Sequence, residues 1–364
     1  MRNMNNQRAD RAQSLWGALK KRLVSRNGTA RSSSSVVIEN RDRLNTDWKR
    51  SNAGQSISVR PAPLIYRDAK IFAMGSCFAV EIRQALSDLG FDVLPRYFDI
   101  EFDRSVEKLS GLPERDSINH YDTFTIRQEF ERAFTPQDPK DKDYWRIDSN
   151  VFSTEPSPTF QDPHRKLTFG RTLQAAMNAT RKLDTCLRQG ILDANIYIIT
   201  LGLIEVWKSE SSGRYVCQAP LKRNGDASFE CSDFASNLAN MRRVCGLLRE
   251  NFPHKKVILT VSPVPLARTF TGKDIVVANM ESKSILRAVA GQIEREFDNV
   301  LYWPSFEIAS RENIFMDDGR HVSPTGVAKI VSAFVAAHCD IRDASNRRQM
   351  AGQSEGQSEG QSEG

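Results

Sequence analysis

Short apolar runs alternate with amphipathic segments along most of this chain, from about residue 60 to residue 342. Uninterrupted apolar runs of this kind are typical of strands in a sheet that is covered on both faces. The predicted strands are KIFAMG (70–75), FDVLPR (91–96), NIYIITLG (195–202), KVILTVSPV (256–264) and NVLYWP (299–304).

The segments between these runs carry apolar residues at helical spacing. After the first run, Phe78, Ile82, Leu86 and Leu89 fall on one face, and Gly90 is placed to end the helix. The other predicted helices cover 171–189, the residues that follow Asp233, 279–297 and 323–338. This alternation predicts a three-layer α/β/α domain around a doubly wound, mostly parallel sheet.

Three segments depart from the alternation. Residues 101–168 are rich in Asp, Pro and aromatic residues, and they predict an irregular insertion or cap over one end of the sheet. Residues 1–59 have the polar, basic composition of a mostly disordered extension. The last segment, 343–364, ends in GQSE repeats and predicts a disordered low-complexity tail. Residues 60–342 are therefore expected to form the folded domain.

Within the extension, SLWGALKKRLV (14–24) has the pattern of a short amphipathic helix. Leu15, Leu19 and Leu23 are four residues apart, beside Trp16 and several basic side chains. Such a helix would suit weak contact with an anionic membrane surface. A docking segment or a frayed tail is the alternative.

The net charge of +6 is unevenly distributed along the chain. Residues 1–60 contain 13 Lys and Arg against 4 Asp and Glu, so the rest of the chain is slightly acidic. Because a nucleic-acid-binding fold carries its basic patch on the fold itself, nucleic acid is not expected as the main partner. There is no apolar stretch of membrane-span length and no apolar signal segment, which predicts a cytoplasmic protein, peripheral to the membrane at most.

The six cysteines are scattered along the chain. They form no CxxC pair and have no zinc-ligand spacing with histidine. This pattern predicts a reduced compartment, with no disulfide framework, no metal site and no bound cofactor.

Two segments at the ends of predicted strands and helices carry side chains that could act as a nucleophile or as a general base. In open parallel sheets, ligands bind beyond the carboxyl ends of the strands. GSC (75–77) joins the first strand to the first helix, and DDGRHVSPTG (317–326) leads into the last helix. Asp318 and His321 are three residues apart, so the carboxylate can hold the imidazole in the tautomer that a general base needs.

Ser76 would complete this set as the nucleophile. Its hydroxyl follows a strand, and its backbone N–H lies at a helix N-terminus, where it can receive an oxyanion. A serine that only caps the helix is the structural alternative. Cys77 is the second candidate nucleophile, since a thiol at a helix N-terminus ionises more readily. Because Phe78 and Ala79 after it suit helix packing, Ser76 is the predicted nucleophile, His321 the base and Asp318 its orienting partner.

The stretch GSCFA (75–79) resembles the motif that names the GSCFA family, a bacterial group similar to the SGNH/GDSL acyl hydrolases. The other matching blocks are HYDTFTIRQEF (120–130), TLGLIEVW (200–207), SPVPLARTF (262–270), ESKSILRAVA (281–290) and DDGRHVSPTG. This resemblance implies an SGNH-like fold in which Ser76, Asp318 and His321 act together. It also implies O-acyl groups of a surface polysaccharide or another glycan as the substrate class.

Two blocks of the SGNH pattern differ in this chain. GSC stands in place of GDS, and GLIE (202–205) stands where GxND would supply an asparagine to the oxyanion. A glutamate cannot donate a hydrogen bond unless it is protonated. The oxyanion hole is therefore expected from the backbone N–H groups of Ser76 and Gly202, next to Gly75. Glu205 and Trp207 would then shape the substrate pocket.

Other polar residues have both a structural and a functional interpretation. Glu205, at the end of a buried strand, is expected either to pair with an arginine such as Arg287 or to face the cleft. His120 and Asp122, in the insertion, either line the pocket or form structural hydrogen bonds. Lys283 and Arg287 share one helix, which predicts a solvated face with one salt bridge toward the core.

The sequence therefore predicts a serine-dependent acyl-ester hydrolase or O-acyltransferase. With water as the acceptor the reaction is ester hydrolysis. With a sugar hydroxyl as the acceptor it is a transfer, for which an acyl-CoA would be the co-substrate. The expected partner is an acylated small molecule or glycan. The alternative is a non-catalytic glycan- or partner-binding protein that has kept the fold.

Overall fold

The structure, a computed structural model, describes residues 57–109, 118–165, 167–217, 226–312 and 314–340. The extension before residue 57, with its predicted helix at 14–24, and the tail at 343–364 lie outside the described residues. Within the described ranges, no helix combines the length and the apolar character needed to cross a bilayer.

Strands and helices alternate through the domain. The strands are β1 (Ile65–Tyr66), β2 (Lys70–Gly75), β3 (Asp92–Leu94), β4 (Glu107–Leu109), β5 (Trp145–Ser149), β6 (Ser157–Asp162), β7 (Thr168–Gly170), β8 (Ile196–Leu201), β9 (Glu205–Ser209), β10 (Tyr215–Val216), β11 (Ala227–Cys231), β12 (Lys256–Val261), β13 (Val300–Trp303) and β14 (Cys339–Asp340). The helices are α1 (Cys77–Asp88), α2 (Thr123–Phe134), α3 (Leu173–Asp193), α4 (Phe234–Asn251), α5 (Ile275–Glu296), α6 (Ser305–Glu312) and α7 (Pro324–His338).

Five parallel strands form the central sheet, in the order β13-β12-β8-β2-β3. Each of these strands lies in one of the five predicted apolar runs. All of these strands except β2 are shorter than their runs, and β3 and β12 each end before a proline, which has no N–H to donate to a neighbouring strand. β3 ends before Pro95, and β12 ends before Pro263. The predicted doubly wound, parallel sheet is confirmed.

Helices cover both faces of this sheet. Side chains point alternately to the two faces of a strand. On β2, Phe72 and Met74 pack into one core with side chains of α2, α3, α4 and α5. Ile71 and Ala73 pack into a second core with α1, α6 and α7. The architecture is therefore the three-layer α/β/α arrangement that the sequence predicts.

The insertion is more regular than its composition predicts. It contains α2 and an antiparallel sheet in the order β4-β7-β6-β5. Along β5, Trp145 and Ile147 are buried whereas Arg146 and Asp148 are exposed, a pattern too short to stand out in the sequence. A second antiparallel sheet, β10-β9-β11, follows β8 and was not predicted.

The first and last strands of the domain pair with each other. β1 and β14 are parallel, with Ile65 opposite Cys339 and Tyr66 opposite Asp340. The Leu64 N–H donates to the His338 carbonyl at 2.8 Å and extends this pairing. We call this pair of strands the terminal clasp.

Candidate functional site

A cavity of about 370 Å³ opens at the carboxyl ends of the central strands. β3 lies on one side of β2 and β8 on the other, so the order of the sheet reverses between β2 and β8. This is the usual position of the ligand in an open α/β sheet. The cavity is lined by residues that include Ser76, Cys77, Tyr121, Asp122, Gly202, Glu205, Trp207, Ser262, Phe270 and Arg320.

The turn between β2 and α1 is held tightly against β8. Gly75 has φ +142°, and a Cβ there would lie 2.2 Å from the carbonyl oxygen of Thr200, so only glycine fits. The Ser76 N–H donates to the same Thr200 oxygen at 3.1 Å. Ser76 follows the last residue of β2 but is still hydrogen-bonded to β8, and Cys77 is the first residue of the helix.

The two candidate nucleophiles differ in exposure. Ser76 is 2% exposed, and its Oγ has no hydrogen-bond partner among the described residues. It is the N-cap residue of α1, but its side chain does not cap the helix. Cys77 is half-buried and also lines the cavity. Cys77 is therefore the more exposed residue of the two, although its side chain also packs against the second core.

Both backbone amides predicted as oxyanion donors already have acceptors. The Ser76 N–H is bonded to Thr200, and the Gly202 N–H donates to the Tyr121 carbonyl at 3.0 Å. Gly202 approaches that carbonyl closely, since a Cβ there would lie 2.5 Å from the oxygen. The N-terminus of α1 lies at the same place, and the positive end of its dipole favours an anion there.

Asp318 and His321 form the predicted pair in the loop before α7. The His321 Nδ1–H donates to Asp318 Oδ2 at 2.7 Å. Asp318 Oδ1 accepts the backbone N–H groups of Arg320 and His321, each at 2.9 Å. These hydrogen bonds hold the pKa of Asp318 well below its ordinary value, and the bond from the His321 ring has the largest effect.

Arg320 connects this pair to the cavity. Its Nη1–H donates to His321 Nε2 at 3.1 Å, and its Nε–H donates to the Pro265 carbonyl at 3.2 Å. Because arginine can only donate, Nε2 carries the lone pair and His321 is the neutral Nδ1–H tautomer. No hydrogen bond joins Ser76 to His321 among the described residues, so the predicted triad is present as a pair and a separate serine.

Glu205 and Trp207 both lie in the cavity wall. Glu205 accepts the Thr269 hydroxyl at 2.6 Å and the Phe270 N–H at 2.8 Å. Its predicted pairing with Arg287 is wrong, because Arg287 instead donates to Glu307 at 2.8 Å. The Glu205 carboxylate thus holds the loop that carries Phe270 against the edge of Trp207, with ring centroids 5.1 Å apart.

Lys283 is predicted from the sequence to lie on a solvated face, but it is buried in the structure. It is 1% exposed, and its Nζ donates to the Gly202 carbonyl at 2.7 Å. Burial lowers the pKa of Lys283 to about 7, and the Cys77 thiol favours the charged amine. The helical pattern of 281–290 gives no signal of this burial, because a long side chain can cross from a helix face to a neighbouring strand end.

The two weaker candidates in the insertion have structural surroundings. Asp122 caps α2 by accepting the N–H groups of Phe124 at 3.0 Å and Thr125 at 2.8 Å. His120 is 1% exposed, and burial lowers its pKa, which keeps the ring neutral. Asp122 also lines the cavity, where burial raises its pKa to about 6.

The described residues contain no group of three or more His, Cys, Asp or Glu side chains that could hold a metal ion. Among curated proteins, none matches this chain at a significant level. The sequence profile of the GSCFA family matches residues 70–334, which include the strand-to-helix turn, the ends of β8 and β12, and the Asp318–His321 loop. The protein therefore belongs to the GSCFA family.

Proposed function

We propose that this protein is an acyl-transfer enzyme, an ester hydrolase or O-acyltransferase of the SGNH type that acts on O-acyl groups. The observation that carries the proposal is the bond of 2.7 Å between His321 Nδ1 and Asp318 Oδ2 beside a cavity with a nucleophile turn. A carboxylate that accepts from Nδ1 leaves Nε2 free of its proton, which is the state of a general base.

The cavity provides the other parts of such a reaction. The turn of Ser76 and Cys77 offers two nucleophilic atoms, and the N-terminus of α1 lies at the same turn. The positive end of a helix stabilises the anion that develops on an acyl oxygen. In the first step the nucleophile gives its proton to His321 and bonds to the acyl carbon. The alcohol then leaves with that proton.

The acceptor decides between the two reactions. If water attacks the acyl-enzyme, the protein is an esterase. If a sugar hydroxyl attacks, it is an O-acyltransferase, and an acyl-CoA is then the acyl donor. We favour a glycan as the partner in the cytoplasm, because the basic composition of residues 1–60 suits work beside a membrane-assembled glycan.

A binding protein without catalysis is the second candidate, and one observation favours it. The amides of Ser76 and Gly202 both have acceptors, so neither can receive an oxyanion without a rearrangement of the turn. Such a protein would bind an acylated glycan in the cavity and release it unchanged.

The test is turnover of p-nitrophenyl acetate and of O-acetylated oligosaccharides by the purified chain. We expect His321→Gln to remove the activity, while the same change at the exposed His254 leaves it intact. Consumption of acetyl-CoA only when a glycan is added would identify the transferase. Saturable binding of the acetylated glycan with no turnover in any assay would instead support the binding protein.

A further inference from the structure

Building on the proposed function, we propose that the sulfur of Cys77, and not the oxygen of Ser76, carries the acyl group, with buried Lys283 as the positive partner of that sulfur. Cys77 is a catalytic residue in this proposal, since it bonds to the acyl carbon. Lys283 is a positioning residue, since its charge stabilises the Cys77 sulfur as an anion and its Nζ holds the Gly202 carbonyl.

Access to the cavity favours the thiol. The Oγ atom of Ser76 is buried. The side chain of Ser76 packs closely against Gly202, since a Cβ placed on Gly202 would lie 3.1 Å from the Ser76 Cβ. The Ser76 N–H is bonded to Thr200, so the backbone is fixed there and the hydroxyl can reach the cavity only by rotation about the Cα–Cβ bond. Cys77, one residue later, is half-buried and lies at the start of α1, where the helix dipole favours an anion.

The charge of Lys283 favours the thiol as well. Its Nζ has a backbone carbonyl as its hydrogen-bond acceptor, and no carboxylate of the described residues lies within salt-bridge distance. A buried ammonium without a negative partner is costly. A Cys77 thiolate supplies that partner, since this thiol is the group that favours the charged form of Lys283.

Three further groups face this pair. Tyr121 and Arg320 line the same cavity, and His321 lies behind Arg320. Burial and the nearby Cys77 raise the pKa of Tyr121, so its hydroxyl stays neutral. Arg320 disfavours the charged form of Lys283, whereas Cys77 favours it. The surroundings of the sulfur are thus cationic on two elements, α5 and the loop before α7.

The step balances with the residues present. The cycle begins with the Cys77 thiol. Once Arg320 Nη1 releases His321 Nε2, that nitrogen takes the thiol proton, Lys283 stabilises the thiolate that forms, and Sγ attacks the acyl carbon. The carbon–oxygen bond of the ester breaks, and the leaving oxygen takes the proton from His321, which leaves a thioester. An acceptor hydroxyl then gives its proton to His321 and attacks the thioester carbon. The carbon–sulfur bond breaks, and the sulfur takes the proton back.

The first experiment locates the acyl group. The full chain is mixed with p-nitrophenyl acetate, quenched, and mapped by mass spectrometry before and after neutral hydroxylamine, which cleaves thioesters but leaves oxygen esters. We expect one acetyl group on Cys77 that hydroxylamine removes, absent in Cys77→Ala and present in the matched control Cys231→Ala. In Ser76→Ala the adduct should still form on Cys77, at a changed rate.

The outcomes separate this proposal from the proposed function. An acetyl group on Ser76, or one that resists hydroxylamine, overturns the assignment to Cys77 and keeps the acyl-transfer reaction. No adduct in the wild-type chain, together with no ester turnover, overturns both.

The second experiment tests Lys283 through the pH dependence of iodoacetamide alkylation. Cys231 is the internal reference, because burial and nearby carboxylates raise its pKa. We expect Cys77 to react faster than Cys231 below about pH 8, and Lys283→Met to slow Cys77 about tenfold at neutral pH. Lys283→Arg should keep most of the rate. A Cys77 no faster than Cys231 in the wild-type chain overturns the pairing without any variant, and an unchanged profile in Lys283→Met does the same.

Discussion

Two of the Asp and His pairs in the described residues, one at the start of α2 and one before α7, have opposite surroundings. Asp318 and His321 each have a side chain that is 46% exposed, and they are bonded to each other. Asp122 and His120 are 3% and 1% exposed. The carboxylate of Asp122 accepts hydrogen bonds from two backbone amides and from one hydroxyl at the start of α2. The same residue types thus form an exposed imidazole–carboxylate pair in one place and a helix cap in the other.

The difference shows which property makes a histidine usable. A general base needs a lone pair that a substrate can reach and a partner that fixes the other nitrogen. His321 has both, once Arg320 moves from Nε2. His120 has neither, since no described residue bonds to either ring nitrogen and the ring is enclosed, with Glu129 3.8 Å away. Four substitutions separate the two pairs.

His321→Gln should have the largest effect on activity. We expect a loss of about a thousandfold in kcat/KM, because removal of a general base costs two to four orders of magnitude. The free energy of unfolding should change little, since the ring is half-exposed. Ester turnover and thermal unfolding of the same sample measure both. Activity within a few fold of the wild type would remove His321 from the mechanism.

Asp318→Asn should have the next largest effect. The amide oxygen of asparagine can still accept from Nδ1–H, but the uncharged amide does not stabilise an imidazolium, and its N–H group can hold the ring in the other tautomer. We therefore expect a loss of roughly a hundredfold in kcat with KM nearly unchanged. Asp317→Asn is the matched control, because it makes the same change at the neighbouring position. Equal losses in the two variants would contradict the role given to Asp318.

Asp122→Ala should affect stability rather than chemistry. Loss of an N-cap acceptor costs about 1 kcal/mol in the free energy of unfolding. Asp122→Asn keeps an acceptor and provides the control, and its effect should depend on pH. Because burial raises the pKa of Asp122 to about 6 in the folded protein, the wild type loses stability as the pH rises from about 4 to 6.

The Asn variant has no such ionisation. Relative to the wild type, it should therefore be more stable at pH 8 than at pH 4, as urea unfolding at both values would show. A difference in unfolding free energy that is the same at the two pH values would mean that the carboxyl group is not raised by burial.

His120→Leu should have the smallest effect. A buried ring whose nitrogens have no hydrogen-bond partner can be replaced by an apolar group of similar volume at little cost. We expect a change below about 1 kcal/mol in the free energy of unfolding. Ester turnover should remain within a few fold. A loss of activity as large as that of His321→Gln would erase the contrast between the two pairs.

The sequence was sufficient for the central sheet and for the turn and the loop that lie at the cavity. Parallel strands that are buried on both faces leave continuous apolar runs, and ligands bind where such strands end. Asp318 and His321 were found because they are close in sequence as well as in space. Features that depend on residues close together in the sequence could therefore be predicted from local patterns.

The rest of the site depends on contacts between distant segments. The Tyr121 carbonyl meets Gly202, and the Lys283 amine meets the same glycine, across more than eighty residues in each case. No pattern in the sequence predicts these long-range contacts, because they arise from the packing of α2 and α5 around the end of β8. The short antiparallel strands were missed for a related reason, since two to six residues of mixed polarity give little periodic signal.

The terminal clasp has a mechanical consequence. The segments that precede residue 57 and follow residue 340 connect to two strands that lie side by side and run in the same direction. A force between those segments therefore pulls the strands lengthwise past each other, and it loads the bonds of Ala62 with Ala337 and of Leu64 with His338 together. If one end were held while the other was pulled, the hydrogen bonds of this clasp would break before the force reached the central sheet that carries the cavity.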